Sequence, residues 1–205
     1  ALAIGQVANR TKTVFINTGA NSDALRGESC NPFMFHIEAA NSMMVRAVGQ
    51  YLKSENMIQG KKWYSLTADY AFGHDLFRVA KQFVSENGGE FVGEELVPTD
   101  ATDFSPYLLK IRQARPDVVA SNLAGNQITN FIKQYAEYGL EFPICGFGFD
   151  TAVAWGAGEG NFSGIWPLIW HHLVDTPTSK KFVEAFKKKY GKLPENQAWG
   201  DYNSL

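Results

Sequence analysis

The sequence predicts an α/β fold in which parallel strands are flanked by helices. Three observations carry that prediction. Short apolar and aromatic runs alternate with stretches of helical period along the whole chain. The connections between them are short, and several are small and polar where a strand ends. The run Trp63 to Gly73, WYSLTADYAFG, together with the helical stretch after it, reads as one complete strand, loop and helix unit. In open sheets of this class, ligands bind outside the carboxyl ends of the strands. Tyr70 and Phe72, two rings beside Asp69, are placed on such a loop. From spacing alone they read equally as wedges between loop and helix.

Taken in order, Ala1 to Asn9 reads as the back half of a helix, and Thr13–Asn17 as a short buried strand. The segment from Thr18 to Asp23 is small and polar, with Gly19 free to adopt dihedrals other residues avoid. Such a strand end exposes N–H groups suited to a carboxylate, although an ordinary turn has the same composition. Pro32–His36 is a second extended run. Glu38–Lys53 has helical period, with Met43, Met44, Ala47, Val48 and Leu52 on its apolar face. Gly73 and Asp75 open the next helix, which uses Leu76, Val79, Ala80 and Phe83 and stops at Asn87-Gly88-Gly89. Phe91–Val97 is a strand. Asp103 caps a helix with Pro106 in its first turn and Tyr107, Leu108 and Ile111 on its buried face.

Val118–Ser121 is the next strand, and Asn122 to Asn126 forms its donor-rich loop. Helix Gln127–Tyr138 ends at Gly139. Pro143–Phe147 is a strand followed by the loop Gly148 to Thr151. Ile165–Trp170 reads as an aromatic strand that Pro167 confines to an edge or a crossover. Thr178–Tyr190 is amphipathic through Phe182, Val183 and Phe186, and Asn196–Leu205 opens a last helix.

The balance of 19 basic and 21 acidic side chains gives a net charge of -2, and only Lys187-Lys188-Lys189 clusters cations. That triplet fits the solvated end of a helix, so no nucleic-acid partner is expected. No apolar run approaches the ~20 residues of a membrane span. Ala1-Leu2-Ala3-Ile4 looks like the middle of a helix, so a shortened chain is an expectation. Cys30 and Cys145 fit no metal spacing; Cys145 reads as a buried hydrophobe. Four histidines, His36, His74, His171 and His172, lack ligand spacing, and no phosphate loop or nucleophile elbow occurs. Neither a metal nor a cofactor is expected. Gly146 and Gly148 lack the third glycine of a dinucleotide fingerprint. A triad of Ser121, Asp150 and His172 can be drawn on paper, as in any chain this long. Asp69 and Asp150 serve either as acid–base groups or as grips on an ammonium or hydroxyl group. Binding is the stronger reading, and no enzyme activity is expected. Asn9-Arg10-Thr11 and Asn161-Phe162-Ser163 match a glycosylation acceptor, a short motif met easily by chance.

The succession Val14-Phe15-Ile16-Asn17 with Thr18-Gly19-Ala20, then Asn31–His36, then Ala68–Gly73, resembles the type I periplasmic solute-binding proteins of ABC importers. The branch is the one that includes leucine/isoleucine/valine-binding protein. Thr102–Pro106, Tyr190–Pro194 and Ala198–Tyr202 fit it as well. The resemblance runs over nearly the whole chain, in order. It implies two α/β lobes with parallel sheets, an incomplete N-terminal lobe, and a small ligand clamped between lobes by hinge closure. Residues 1–36 and 172–205 would belong to the N-terminal lobe and 37–171 to the C-terminal lobe.

The resemblance also implies a ligand site. Gly19, Ala20 and Asn21 match the strand end that receives a carboxylate. Phe72, with Tyr70 close by and Asp69 beside them, matches the ring over the ligand. Asn122 and Ala124 fall on the matching loop, where Ala124 leaves room for a larger ligand. Phe149 and Asp150 lie where amino-acid binders carry a carboxylate for the ligand's ammonium group, with Gly148 as the competing alignment. Gln197 reaches in from the C-terminal helix. The implied ligand is an amino acid or an aromatic carboxylate, the implied partners are ABC permease subunits, and the implied location is periplasmic or lipid-anchored outside the cytoplasm. A ligand-sensing domain of a signalling receptor on the same fold is the alternative.

Overall fold

The computed structural model describes residues 1–158, 160 and 162–204. The acceptor Asn161 of the second glycosylation motif lies outside the described residues. In chain order the elements are α1 (Leu2–Thr11), β1 (Phe15–Asn17), β2 (Met34–His36), α2 (Asn41–Ser54), β3 (Lys62–Ala68) and α3 (Ala71–Glu86). There follow β4 (Glu90–Val97), α4 (Ser105–Ala114), β5 (Val118–Asn122), α5 (Asn126–Glu137) and β6 (Ile144–Gly146). The chain closes with α6 (Thr151–Ala157), α7 (Pro177–Tyr190) and α8 (Asn196–Asn203). They divide into two compact units, residues 1–40 with 168–205, and residues 41–167.

In the first unit β1 and β2 pair in parallel, with Asn17 opposite His36 at their carboxyl ends. Helix α1 lies close to β2: a Cβ on Gly5 would come within 3.0 Å of the Met34 sulfur. Further along, Trp170 stacks on Trp199 at 5.0 Å, donates its indole N–H to Ser179 and meets Phe182 edge-on. Helix α7 begins where Thr176 accepts the Ser179 N–H and ends at Gly191, which has φ 69°. That glycine closes the helix in a left-handed conformation.

The second unit is a four-stranded parallel sheet of order β4-β3-β5-β6. Strand β3 is buried on both faces, as expected at the centre of a parallel sheet. One face packs Tyr64, Leu66 and Val119 against Phe104, Leu108, Ile111, Phe131 and Ile132 of α4, α5 and the turn before α4. The other packs Trp63, Val118 and Ala120 against Val45, Val48 and Leu52 of α2 and Leu76, Ala80 and Val84 of α3. Edge strand β4 alternates exposed and half-buried residues. At α4, Asp103 accepts the Ser105 N–H while Phe104 occupies the cap position.

Several expectations need correction. Helix α2 starts at Asn41 rather than Glu38, because Glu38 is buried and its carboxylate accepts the Ala39 N–H. Met43 and Ala47 face solvent; the buried stripe runs through Met44, Val45, Val48, Gly49 and Leu52. Helix α3 opens at Ala71, two residues before Gly73. Gly73 is buried inside the first turn, where a Cβ would stand 2.1 Å from the Ala68 carbonyl oxygen. The run Ile165–Trp170 forms no strand: only Ile165 bridges to Cys145 of β6. Its two rings part instead of lining up along an edge: Trp166 goes to Phe149 and Phe162, Trp170 to Trp199.

Candidate ligand-binding site

The first unit contributes the carboxyl end of β1. Asn17, buried at 3% exposure, turns its amide onto the loop after the strand. Its Oδ1 accepts the Ala20 N–H at 2.9 Å and its Nδ2 donates to the Ala20 carbonyl at 2.7 Å. The Ala20 N–H is therefore engaged within the loop, a correction to the picture of a strand end whose N–H groups all await an anion. Asn21 donates its amide to the Ala39 carbonyl at 2.9 Å. Gln197, in the first turn of α8, lies over Gly19, where a Cβ would stand 3.1 Å from its Oε1. Glu195 fixes that first turn by accepting the N–H groups of Gln197 and Ala198 at 2.6 and 2.8 Å. Gly19, Ala20, Asn21 and Gln197 thus form one group.

The second unit gathers the remaining candidates at the carboxyl edge of its sheet. Tyr70 caps α3 and Phe72 lies in its first turn, not on a loop; their rings are 5.8 Å apart and tilted by 32°. Tyr70 is 41% exposed, and burial of the rest raises its phenol above the usual pKa. The Phe72 ring covers Gly148, where a Cβ would meet Cζ at 3.2 Å. A side chain at 148 would have to displace that ring. Asp69 pairs with His74 at 3.0 Å, both about half exposed. Helix α3 starts without a side-chain cap, so its first-turn N–H groups and dipole leave a positive field at this edge.

Asn122 requires a correction. It is the last residue of β5, fully buried, and donates its amide to the Ser65 hydroxyl at 2.9 Å. Ser65 in turn bonds Thr67 at 3.0 Å. These three polar side chains on one face of the sheet form an internal network that sequence spacing did not reveal. Ala124 is half-buried on the loop proper, and its carbonyl accepts the Gln127 N–H. Gln127 ties α5 to the end of β4 by donating to the Val97 and Pro98 carbonyls. Phe149 turns its ring onto Phe162 and Trp166, at 5.0 and 5.2 Å. Trp166 also covers Gly146. Asp150 is the cap residue of α6, with its carbonyl taking the Val153 N–H.

Among the described residues no group of His, Cys, Asp and Glu could hold a metal ion. No helix of the described chain is long and apolar enough to cross a membrane. A half-exposed ring pair, a carboxylate and uncapped N–H groups can stack on and hydrogen-bond a small organic solute.

Residues 1–205 match the periplasmic binding protein family, and the chain belongs to it. Its parallel-sheet α/β architecture is the fold of that family. It is 26% identical over 196 residues to Leu/Ile/Val-binding protein homolog 4 of Brucella abortus (strain 2308), covering 91% of this chain and 45% of that protein. A periplasmic binding protein from Burkholderia mallei superposes with a TM-score of 0.90 at 29% identity, covering 99% of this chain and 54% of that one. A solute-binding protein of an ABC transporter from Rhodopseudomonas palustris BisB5, in complex with 3,4-dihydroxybenzoic acid, has a TM-score of 0.85 at 27% identity. There the match covers 98% of this chain and 56% of that one. The chain therefore spans about half the length of the relatives it matches.

Proposed function

We propose that the chain carries ligand-binding elements of an extracytoplasmic receptor that passes a small carboxylate, unaltered, to an ABC permease. In this reading the carboxylate goes to the loop of Gly19, Ala20 and Asn21 and to Gln197, with the Ala20 N–H already held by Asn17, and the body of the ligand goes to Tyr70 and Phe72. Asp69, Ala124, Phe149 and Asp150 shape the rest. Asn122 acts from within the strand by holding the edge in place. The two compact units are assigned to the two lobes of the receptor, with the chain passing between them near residues 36–41 and 167–172. The ligand class is an amino acid or an aromatic acid. Leu/Ile/Val-binding relatives support the first and the dihydroxybenzoate complex supports the second. The observation that carries the reading is the tilted, half-exposed Tyr70–Phe72 pair, with Phe72 lying over Gly148. A ring pair backed by a glycine favours a flat ligand, so an aromatic carboxylate ranks ahead of leucine.

Isothermal titration against 3,4-dihydroxybenzoate, benzoate, leucine and glucose tests this. Binding of an aromatic carboxylate is expected, and Phe72→Ala should weaken it about 5- to 30-fold, the worth of ~1–2 kcal/mol of ring contact. Binding of glucose alone, or Phe72→Ala without effect, would overturn it.

A further inference from the structure

Besides the bonds between Asn17 and Ala20, side chains before, within and after the loop from Thr18 to Asn21 tie this segment to residues 36–39. Asn17 reaches His36, Asn21 reaches the Ala39 carbonyl, and Arg26 donates to the Glu38 carbonyl. Only the first of these links ends on a group that titrates near neutrality. The two bonds from Asn17 to Ala20 fix which end of the amide is which: the oxygen meets an N–H and the nitrogen meets a carbonyl. The remaining amide hydrogen therefore points at His36 Nδ1, 3.0 Å away. His36 Nδ1 must accept, so the ring proton of neutral His36 sits on Nε2. Protonation would place a donor against a donor, and Asn17 could keep its bonds to Ala20 only by losing its partner at 36.

We infer that Asn17 and His36 are positioning residues for the strand-end loop, and that neutral His36 is the state that holds the loop in shape. The clamp itself rests on geometry; its link to ligand affinity rests on the proposed carboxylate site. Arg26 is the charged group that bears on the His36 ring, and Asp23 and Glu38 bear on Arg26. Burial, then the nearby Arg26 guanidinium, lower the His36 pKa below the ordinary 6.5, with the Leu25 carbonyl opposing them. Asp23 and Glu38 raise Arg26 against its own burial and keep it charged. A depressed imidazole contributes stability that is present above 6.5 and lost as pH falls through its lower folded value.

Amide hydrogen exchange and histidine NMR on the intact chain, from neutral to mildly acid pH, test the clamp without any ligand. Protection of the Ala20 amide, corrected for intrinsic exchange, should fall about tenfold as His36 titrates. His36→Asn keeps an acceptor where Nδ1 stands and cannot titrate, so its Ala20 protection should stay flat. His36→Leu should lose protection at every pH. Ala20 protection that ignores the His36 titration in the parent chain overturns the inference, whether or not either variant folds. Affinity for 3,4-dihydroxybenzoate followed over the same range separates the two claims. An amide that tracks His36 while no carboxylate binds sustains the clamp and sinks the proposed function. An affinity that stays level while the amide responds removes the clamp's part in binding.

Discussion

At the scale of single residues, the same mutation has opposite meanings at two glycines. A Cβ on Gly73 would stand 2.1 Å from a backbone oxygen and 2.9 Å from its carbon, atoms that the β3–α3 junction cannot move cheaply. Gly73→Ala is expected to cost about 1–3 kcal/mol or more, seen as a lower urea midpoint with an unchanged slope. A Cβ on Gly148 would press on the rim of the Phe72 ring at 3.2 Å and touch Leu76 at an ordinary 3.6 Å, and a ring can tilt. Gly148→Ala should leave stability within about 0.5 kcal/mol yet lower affinity for an aromatic carboxylate, because the ring it displaces is a proposed ligand contact. Equal losses of stability at both positions would argue that Phe72 is simply core. A sequence shows both glycines alike, since close approach across a junction leaves no local pattern. The fixed amide of Asn17 and the buried network of Asn122, Ser65 and Thr67 were hidden for the same reason.

At the scale of elements, capping chemistry separates what was legible from what was not. Helix α7 was readable from the helical spacing of Phe182, Val183 and Phe186, and the structure starts it one residue before the expected Thr178, at Pro177, with Thr176 as cap and Gly191 as stop. Helix α3 was readable as a helix, but its start was misplaced: Tyr70 caps it without a side-chain bond, so no polar residue marks the boundary. The run Ile165–Trp170 misled because aromatic residues signal strands only when their rings stand on a sheet. Here Trp166 folds onto Phe149 and Phe162. Helix α8 offers a test of how far a cap governs the proposed site. Glu195→Ala removes the acceptor for two first-turn N–H groups and should cost ~1 kcal/mol. Because the freed turn carries Gln197, affinity should fall with it, whereas Glu195→Gln should retain most of both. Measured urea midpoints and binding constants for the pair decide whether Gln197 depends on its helix start.

At the scale of the molecule, the alternation of strand and helix made the parallel sheets legible, since a parallel pair requires a crossover that the sequence must spell out. Strand order was not legible: β4-β3-β5-β6 depends on which buried faces meet, and every inner strand offers similar apolar runs. The proposed binding is likewise a property of many residues at once, and it is measured best by a global response. A ligand that binds only the folded chain stabilises it by mass action, about 2.7 kcal/mol at a hundred times its dissociation constant. For a chain of this length that corresponds to a rise in Tm of roughly 5–10 °C. Thermal unfolding with benzoate, 3,4-dihydroxybenzoate, leucine and glucose should therefore show a dose-dependent rise for the aromatic acids, a smaller one or none for leucine, and none for glucose. Phe72→Ala should lower the rise without lowering the ligand-free Tm by a comparable amount. If all four solutes leave Tm in place at millimolar concentration, these residues do not by themselves make a working site, and the ring pair must be read as packing.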